Sequence, residues 1–211
     1  MPSVGRLNRH HEDLQRRVVA FARTAGWSSV VMTYHNAQNG DVLRFASDST
    51  GLYVRTIPDL VLSNGKEALM VEVKSHTSTR YSDATIELVP LITAKTLWQL
   101  MGVRTLYVYE DPNAGISAAW WAHEVFDRLP VKAIYVGTQR PEWDRLDSQI
   151  FLWQFSGVIP RDVPVVRIQP QGSGDPFVVI PEATLRTLLP WEETLGRVLG
   201  VENPHEEVAP W

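Results

Sequence analysis

A chain of 211 residues with 44% hydrophobic and 21% charged residues can build the packed core of one domain, or of one domain with an extension, and is too apolar for disorder. It has no cysteine, which excludes disulfides, thiol nucleophiles, iron–sulfur clusters and cysteine-based zinc sites, and its six histidines form no His-x3-His pair. The net charge of −4 is unevenly spread: residues 1–110 carry 12 basic and 10 acidic side chains, residues 111–211 carry 8 and 14, so a polyanion is expected to meet the first half.

No apolar run is long enough to span a bilayer, and the polar stretch Met1 to Asp13 has no apolar signal segment, so no membrane partner and a cytoplasmic location are expected. The first predicted helix runs from Arg9 to Ala25, with Asn8 as N-cap and Gly26 closing it. Leu7, Leu14, Val18, Phe21 and Ala25 form its apolar stripe. Arg9, Arg16 and Arg23 recur every seven residues on the other face, which is either solvated or a phosphate-contacting surface.

Strand-like segments follow at Val30–His35, Val42–Phe45 and Leu52–Arg55. Ile57–Leu62 and Ala68–Lys74 flank Asn64-Gly65, a hairpin signal. Leu91–Met101 reads as a helix ended by Gly102, and Val103–Tyr109 as a buried strand. Beyond Asp111, Ser117–Arg128 reads as a helix, Val131–Val136, Gln149–Phe155 and Val163–Ile168 as strands, and Pro181–Leu189 as a helix with proline at N1. Residues 171–176 read as a loop, and the tail from Glu202 is acidic and proline-containing. The order predicts a mixed α/β sheet protein.

The chemistry gathers at the hairpin. Alternation along a strand puts Glu72 and Lys74 on one face and Val71 and Val73 on the other. A two-residue loop at Asn64-Gly65 sets Asp59 opposite Met70 and Ile57 opposite Glu72, so Asp59 is a same-face diagonal neighbour of Glu72, about 7–8 Å away. Two carboxylates so placed repel each other and attract a hard cation, Mg2+ or Mn2+, and a nearby lysine stabilises charge developing on a phosphate. The plainer reading of Glu72 and Lys74 is an ion pair on a half-exposed strand.

Pro58-Asp59 and Glu72-Val73-Lys74 resemble the signature of the PD-(D/E)xK nuclease superfamily. The wider arrangement resembles small phage and bacterial nucleases related to VRR-NUC domains and Holliday junction resolvases, whose first helix carries Glu-x-x-Gln and ends in Gly-Trp. Here these are Glu12-Asp13-Leu14-Gln15 and Gly26-Trp27, and the resemblance covers about residues 9–110. It implies a restriction-endonuclease-like core over 1–110, with a mixed central sheet flanked by helices, and a C-terminal α+β extension over 111–211, packed on the core or separate. It implies a deoxyribonuclease, endonucleolytic in type. Asp59, Glu72 and the Val73 carbonyl would hold Mg2+ or Mn2+, with Lys74 assisting the attacking water, and Glu12 would join the metal site; an exposed pair with Arg16 explains Glu12 equally well.

Arg9, Arg16, Arg23, His76 and Lys95 are the candidate DNA contacts, Lys95 because Leu91 stands where the relatives place a glutamine. Glu87 is read as a solvated strand-end glutamate or an extra site carboxylate, and Asp83 shares its segment. His35-Asn36 resembles single-histidine nucleases but lacks a second metal-binding pair. The eight tryptophans, Trp120-Trp121 among them, suit core packing or base stacking. A homodimer is compatible with the sequence. An inactive nucleic-acid-binding protein, or a protein-interaction module using the acidic second half, is the competing class.

Overall fold

The computed structural model describes residues 4–32, 56–76, 82–137, 142–168 and 176–201. The expected strands at Val42–Phe45 and Leu52–Arg55, the loop at 171–175 and the tail from Glu202 lie outside the described residues, as does His35.

Helix α1 spans Val4–Thr24, so it begins before Asn8, which lies inside the helix rather than capping it. Its buried stripe is Leu14, Val18 and Ala22. Gly26 ends it at φ 77°, a conformation glycine adopts without strain, and the Trp27 N–H reaches back to the Ala22 carbonyl at 2.9 Å. Strand β1 is Ser28–Val31, β2 is Leu60–Ser63 and β3 is Ala68–Ser75.

The β2–β3 turn is where expected but longer. Ser63 pairs with Ala68, leaving a loop of Asn64 to Glu67, and Leu60 pairs with Val71. The Asn64 side chain accepts the Lys66 and Glu67 N–H groups at 2.9 Å each, an arrangement that builds a four-residue turn instead of a tight two-residue one. The register therefore slides by two, and the faces are unchanged because the slide is even. Extended one residue beyond β2, it sets Asp59 across from Glu72 rather than Met70.

Strand β4 is Ala84–Glu87 and helix α2 is Leu88–Met101, starting three residues before Leu91 and ending at Gly102 with φ 70°. Strand β5 is Thr105–Asp111 and β6 is Ile116–Trp121. The helix expected over Ser117–Arg128 is thus a strand followed by a single 3-10 turn, Ala122–Glu124. Residues of helical composition were overridden by pairing with β5, whose buried edge needs backbone partners.

Strand β7 is Ile134–Gly137, and helix α3, Glu142–Phe155, replaces the strand expected at Gln149–Phe155. Its aromatic pair Phe151 and Phe155 stacks one helical turn apart, with centroids 6.5 Å from each other. Strands β8, Val165–Ile168, and β9, Phe177–Ile180, are followed by the short helix α4, Glu182–Leu185, for which Pro181 is the N-cap rather than N1. Helix α5, Trp191–Leu199, and strand β9 had no counterpart in the sequence expectations, while β4 ends at Glu87, which was read as a strand-end residue.

The result is a mixed α/β architecture of two mixed sheets flanked by helices. One sheet has the order β1-β2-β3-β5-β6, antiparallel except for the parallel β3–β5 pair that α2 connects. The other has the order β4-β9-β7-β8. Each sheet takes strands from both sides of residue 110: β6 extends the first, and β4 belongs to the second.

Alternation along β5 divides the core. Leu106 and Val108 pack with α1, β2, β3 and α5 residues such as Val71, Trp191 and Leu195. Tyr107 and Tyr109 pack on the opposite side with α2, Trp120 and the second sheet. Trp120 lies stacked on Tyr107 at 5.8 Å, which makes it a core tryptophan. Among the described residues, no helix is long and apolar enough to cross a membrane.

Candidate active site

Asp59 leads into β2, and Glu72 and Lys74 stand two residues apart on β3, so adjacent strands bring all three to the sheet face that Tyr107 also occupies. Asp59 is only 7% exposed, and its carboxylate accepts the Val73 N–H at 2.8 Å. Lys74 Nζ lies 2.9 Å from Glu72 Oε1. The helix side contributes a residue the sequence expectations missed: His11 Nε2 lies 3.6 Å from Asp59 Oδ1.

The electrostatics follow from burial and crowding. Burial pushes the Asp59 carboxyl up, but the His11 contact, the Lys74 charge and the Val73 N–H together hold it below the ordinary value. Burial pushes Glu72 up to about 7, with Asp59 and Glu87 adding to the rise against the opposing pull of Lys74. Burial would neutralise Lys74, yet Glu72, Glu87 and Asp59 outweigh it and hold the ammonium charged well beyond neutral pH. Glu87, the residue that precedes α2, is therefore a third carboxylate whose field reaches the site. The Tyr107 hydroxyl is pushed up first by burial and then by Glu72.

The remaining candidates separate into groups. Glu12, read as a metal ligand or as the partner of Arg16, is exposed on α1, and Arg16 forms its ion pair with Asp13 at 2.6 Å. Arg9, Arg16 and Arg23 are all exposed, Arg16 to 72% of its side chain. The neighbouring Arg17 instead grips both oxygens of Glu110, which also accepts the Trp191 indole N–H at 2.8 Å. His76 extends β3 by one residue, donating its N–H to the Glu110 carbonyl at 2.8 Å, and Asp83 pairs with Lys132.

Lys95 corrects an expectation. It is 3% exposed, and its ammonium donates to the His123 carbonyl at 3.2 Å, the Val125 carbonyl at 2.6 Å and Asp127 at 3.0 Å. All three donors are used inside the protein, which leaves none for a phosphate.

Among the described residues, no group of three or more histidine, aspartate or glutamate side chains forms a ready-made metal cage. The residues present still suit a divalent ion with few protein ligands. The buried Asp59 and the half-buried Glu72 lie close enough for the charge of one to act on the other, with Lys74 paired to Glu72 and the His11 ring 3.6 Å from Asp59.

No family model matches this chain, and no curated protein sequence matches it. Among solved structures it is similar to the Holliday junction resolvase Hjc of the archaeal hyperthermophile Archaeoglobus fulgidus, at 11% identity over 92% of this chain and 98% of that chain, with a TM-score of 0.43.

Proposed function

We propose that this protein is a PD-(D/E)xK-type nuclease with a restriction-endonuclease-like core, hydrolysing DNA phosphodiester bonds endonucleolytically with Mg2+ or Mn2+. The observation that carries the reading is the meeting of the buried Asp59 with the half-buried Glu72 and Lys74 on adjacent strands, with a charged lysine amid carboxylates. Asp59 and Glu72 would hold the ion, with the Val73 carbonyl as a further ligand. When bound, the ion supplies an activated water and polarises the phosphate.

The protein's own contributions follow from charge and position. Lys74 holds its proton, so its role is to orient the attacking water and stabilise negative charge on the phosphate rather than to act as a base. The Val73 N–H fixes the Asp59 carboxylate, so that its oxygens keep one orientation. The exposed arginines of α1 supply a cationic approach for the DNA backbone.

Thermal unfolding in the presence and absence of Mn2+ tests the reading. The wild type is expected to be stabilised by Mn2+, and Asp59→Ala to lose that gain together with plasmid cleavage. Mn2+ stabilisation undiminished in Asp59→Ala would overturn the assignment of the site.

Arg16→Glu is expected to weaken DNA binding several-fold and to flatten its dependence on salt by about one to two units of slope. An unchanged affinity in a fluorescence-anisotropy titration would return the arginine row to a merely solvated face. A second reading, a protein-interaction module or homodimer, draws its support from the exposed Phe151, Leu152 and Phe155 of α3. Such a module would show no gain from Mn2+.

A further inference from the structure

We infer that His11 is a ligand of the metal in this site, giving it a mixed nitrogen–oxygen donor set that favours Mn2+ over Mg2+. This deepens the nuclease reading and rests on it.

The helical phase of α1 is the first support. His11, Leu14, Gln15, Val18 and Ala22 follow the i, i+3, i+4, i+7 rule; Leu14, Gln15, Val18 and Ala22 are buried, and His11 is half-buried at the head of the stripe. Glu12 is rotated about 100° away from His11 and is exposed. Of the Glu-x-x-Gln pair on this helix, the glutamine thus faces inward, and the inward position one turn earlier belongs to His11.

Distance is the second support. Two donors each about 2.1 Å from one octahedral ion stand about 3.0 Å apart in neighbouring positions. The observed 3.6 Å between His11 Nε2 and Asp59 Oδ1 is about half an ångström wider than that spacing and longer than a well-formed hydrogen bond. The His11 ring therefore needs little movement to share an ion with Asp59.

Donor chemistry gives the preference. Carboxylates serve Mg2+ and Mn2+ alike, but an imidazole nitrogen favours the later, softer ion and adds little for Mg2+. With histidine where a carboxylate was expected, the donor set gains selectivity for Mn2+ and loses one negative charge. The approach of the ion displaces the contact between His11 and Asp59, and no new residue has to be recruited.

The test combines spectroscopy with calorimetry on the full chain. Electron spin-echo modulation of bound Mn2+ in protein grown with 15N-labelled histidine is expected to show a directly coupled nitrogen, which vanishes in His11→Gln. Calorimetric titration is expected to show Mn2+ bound at least about tenfold more tightly than Mg2+, with the ratio shrinking severalfold in His11→Gln and His11→Glu. Mn2+ bound through Asp59 with no coupled nitrogen, or with the same Mn2+/Mg2+ ratio in the His11 variants, overturns the inference and leaves the nuclease reading standing. Wild-type protein that binds no Mn2+ overturns both. The spectroscopic arm uses the wild type, so a poorly folding variant does not obscure the result.

Discussion

Lys74→Ala is expected to reduce metal-dependent cleavage of supercoiled plasmid by at least about 100-fold while the protein stays folded and still binds Mn2+. Lys74 is half-buried beside Glu72 and remains charged because the charges of Glu72, Glu87 and Asp59 act on it. A group held so firmly protonated cannot take a proton from water near neutral pH, so its contribution is electrostatic, and alanine removes all of it. Metal binding survives because Asp59 keeps its contacts with His11 and the Val73 N–H, and the ion itself supplies Glu72 with the positive charge that Lys74 gave it. The check is a plasmid assay with EDTA and Mn2+ arms, run beside thermal unfolding with and without Mn2+. Activity retained in Lys74→Ala would remove the nuclease assignment.

Lys95→Met is expected to destabilise the fold by about 3–5 kcal/mol, seen as a lower midpoint in urea denaturation. Methionine keeps most of the apolar stem but leaves the His123 and Val125 carbonyls without their donor. Each orphaned buried carbonyl costs about 1–3 kcal/mol, and the half-solvated partner Asp127 adds less. DNA affinity of the folded fraction is expected to be unchanged. Weakened DNA binding with an unmoved midpoint would instead make Lys95 a phosphate contact.

The parts of the fold legible in the sequence are those with local punctuation. Gly26-Trp27 and Gly102 end their helices at left-handed glycines, and Asn64-Gly65 marks the hairpin, because each is a backbone requirement that a short segment meets alone. The loop length was not legible, since it depends on the Asn64 side chain choosing the Lys66 and Glu67 N–H groups. Asp59 and Glu72 still share a face, as expected, because the error was an even one.

Elements decided by distant partners were misread. Ala118-Ala119-Trp120-Trp121 has a helical composition and becomes a strand only through β5. The turn that makes this possible was visible: Asp111 Oδ1 accepts the Asn113 and Ala114 N–H groups, and Gly115 takes φ 63°. In α3 a contiguous run from Ile150 to Trp153 imitated a buried strand, although Phe151 and Leu152 are exposed. His11 could have been found by continuing the apolar stripe one turn back from Leu14 and Gln15; the adjacent Glu12 drew the reading to the wrong phase.

The exchange of strands between the two sheets bears on how the molecule is made. Glu87 sits at the end of β4, and β4 is paired along its length with β9, which leaves the ribosome about ninety residues later. The sheet carrying Asp59, Glu72 and Lys74 can assemble as soon as β6 is out, but the strand bringing Glu87 toward it is anchored only once β9 has emerged. A chain cut short before residue 177 therefore lacks the β9 strand that pairs with β4 and begins at Phe177 opposite Glu87. On the nuclease reading, the electrostatic setting of Lys74 is thus completed by a strand pairing of long sequence separation, one of the slower contacts of the fold to form.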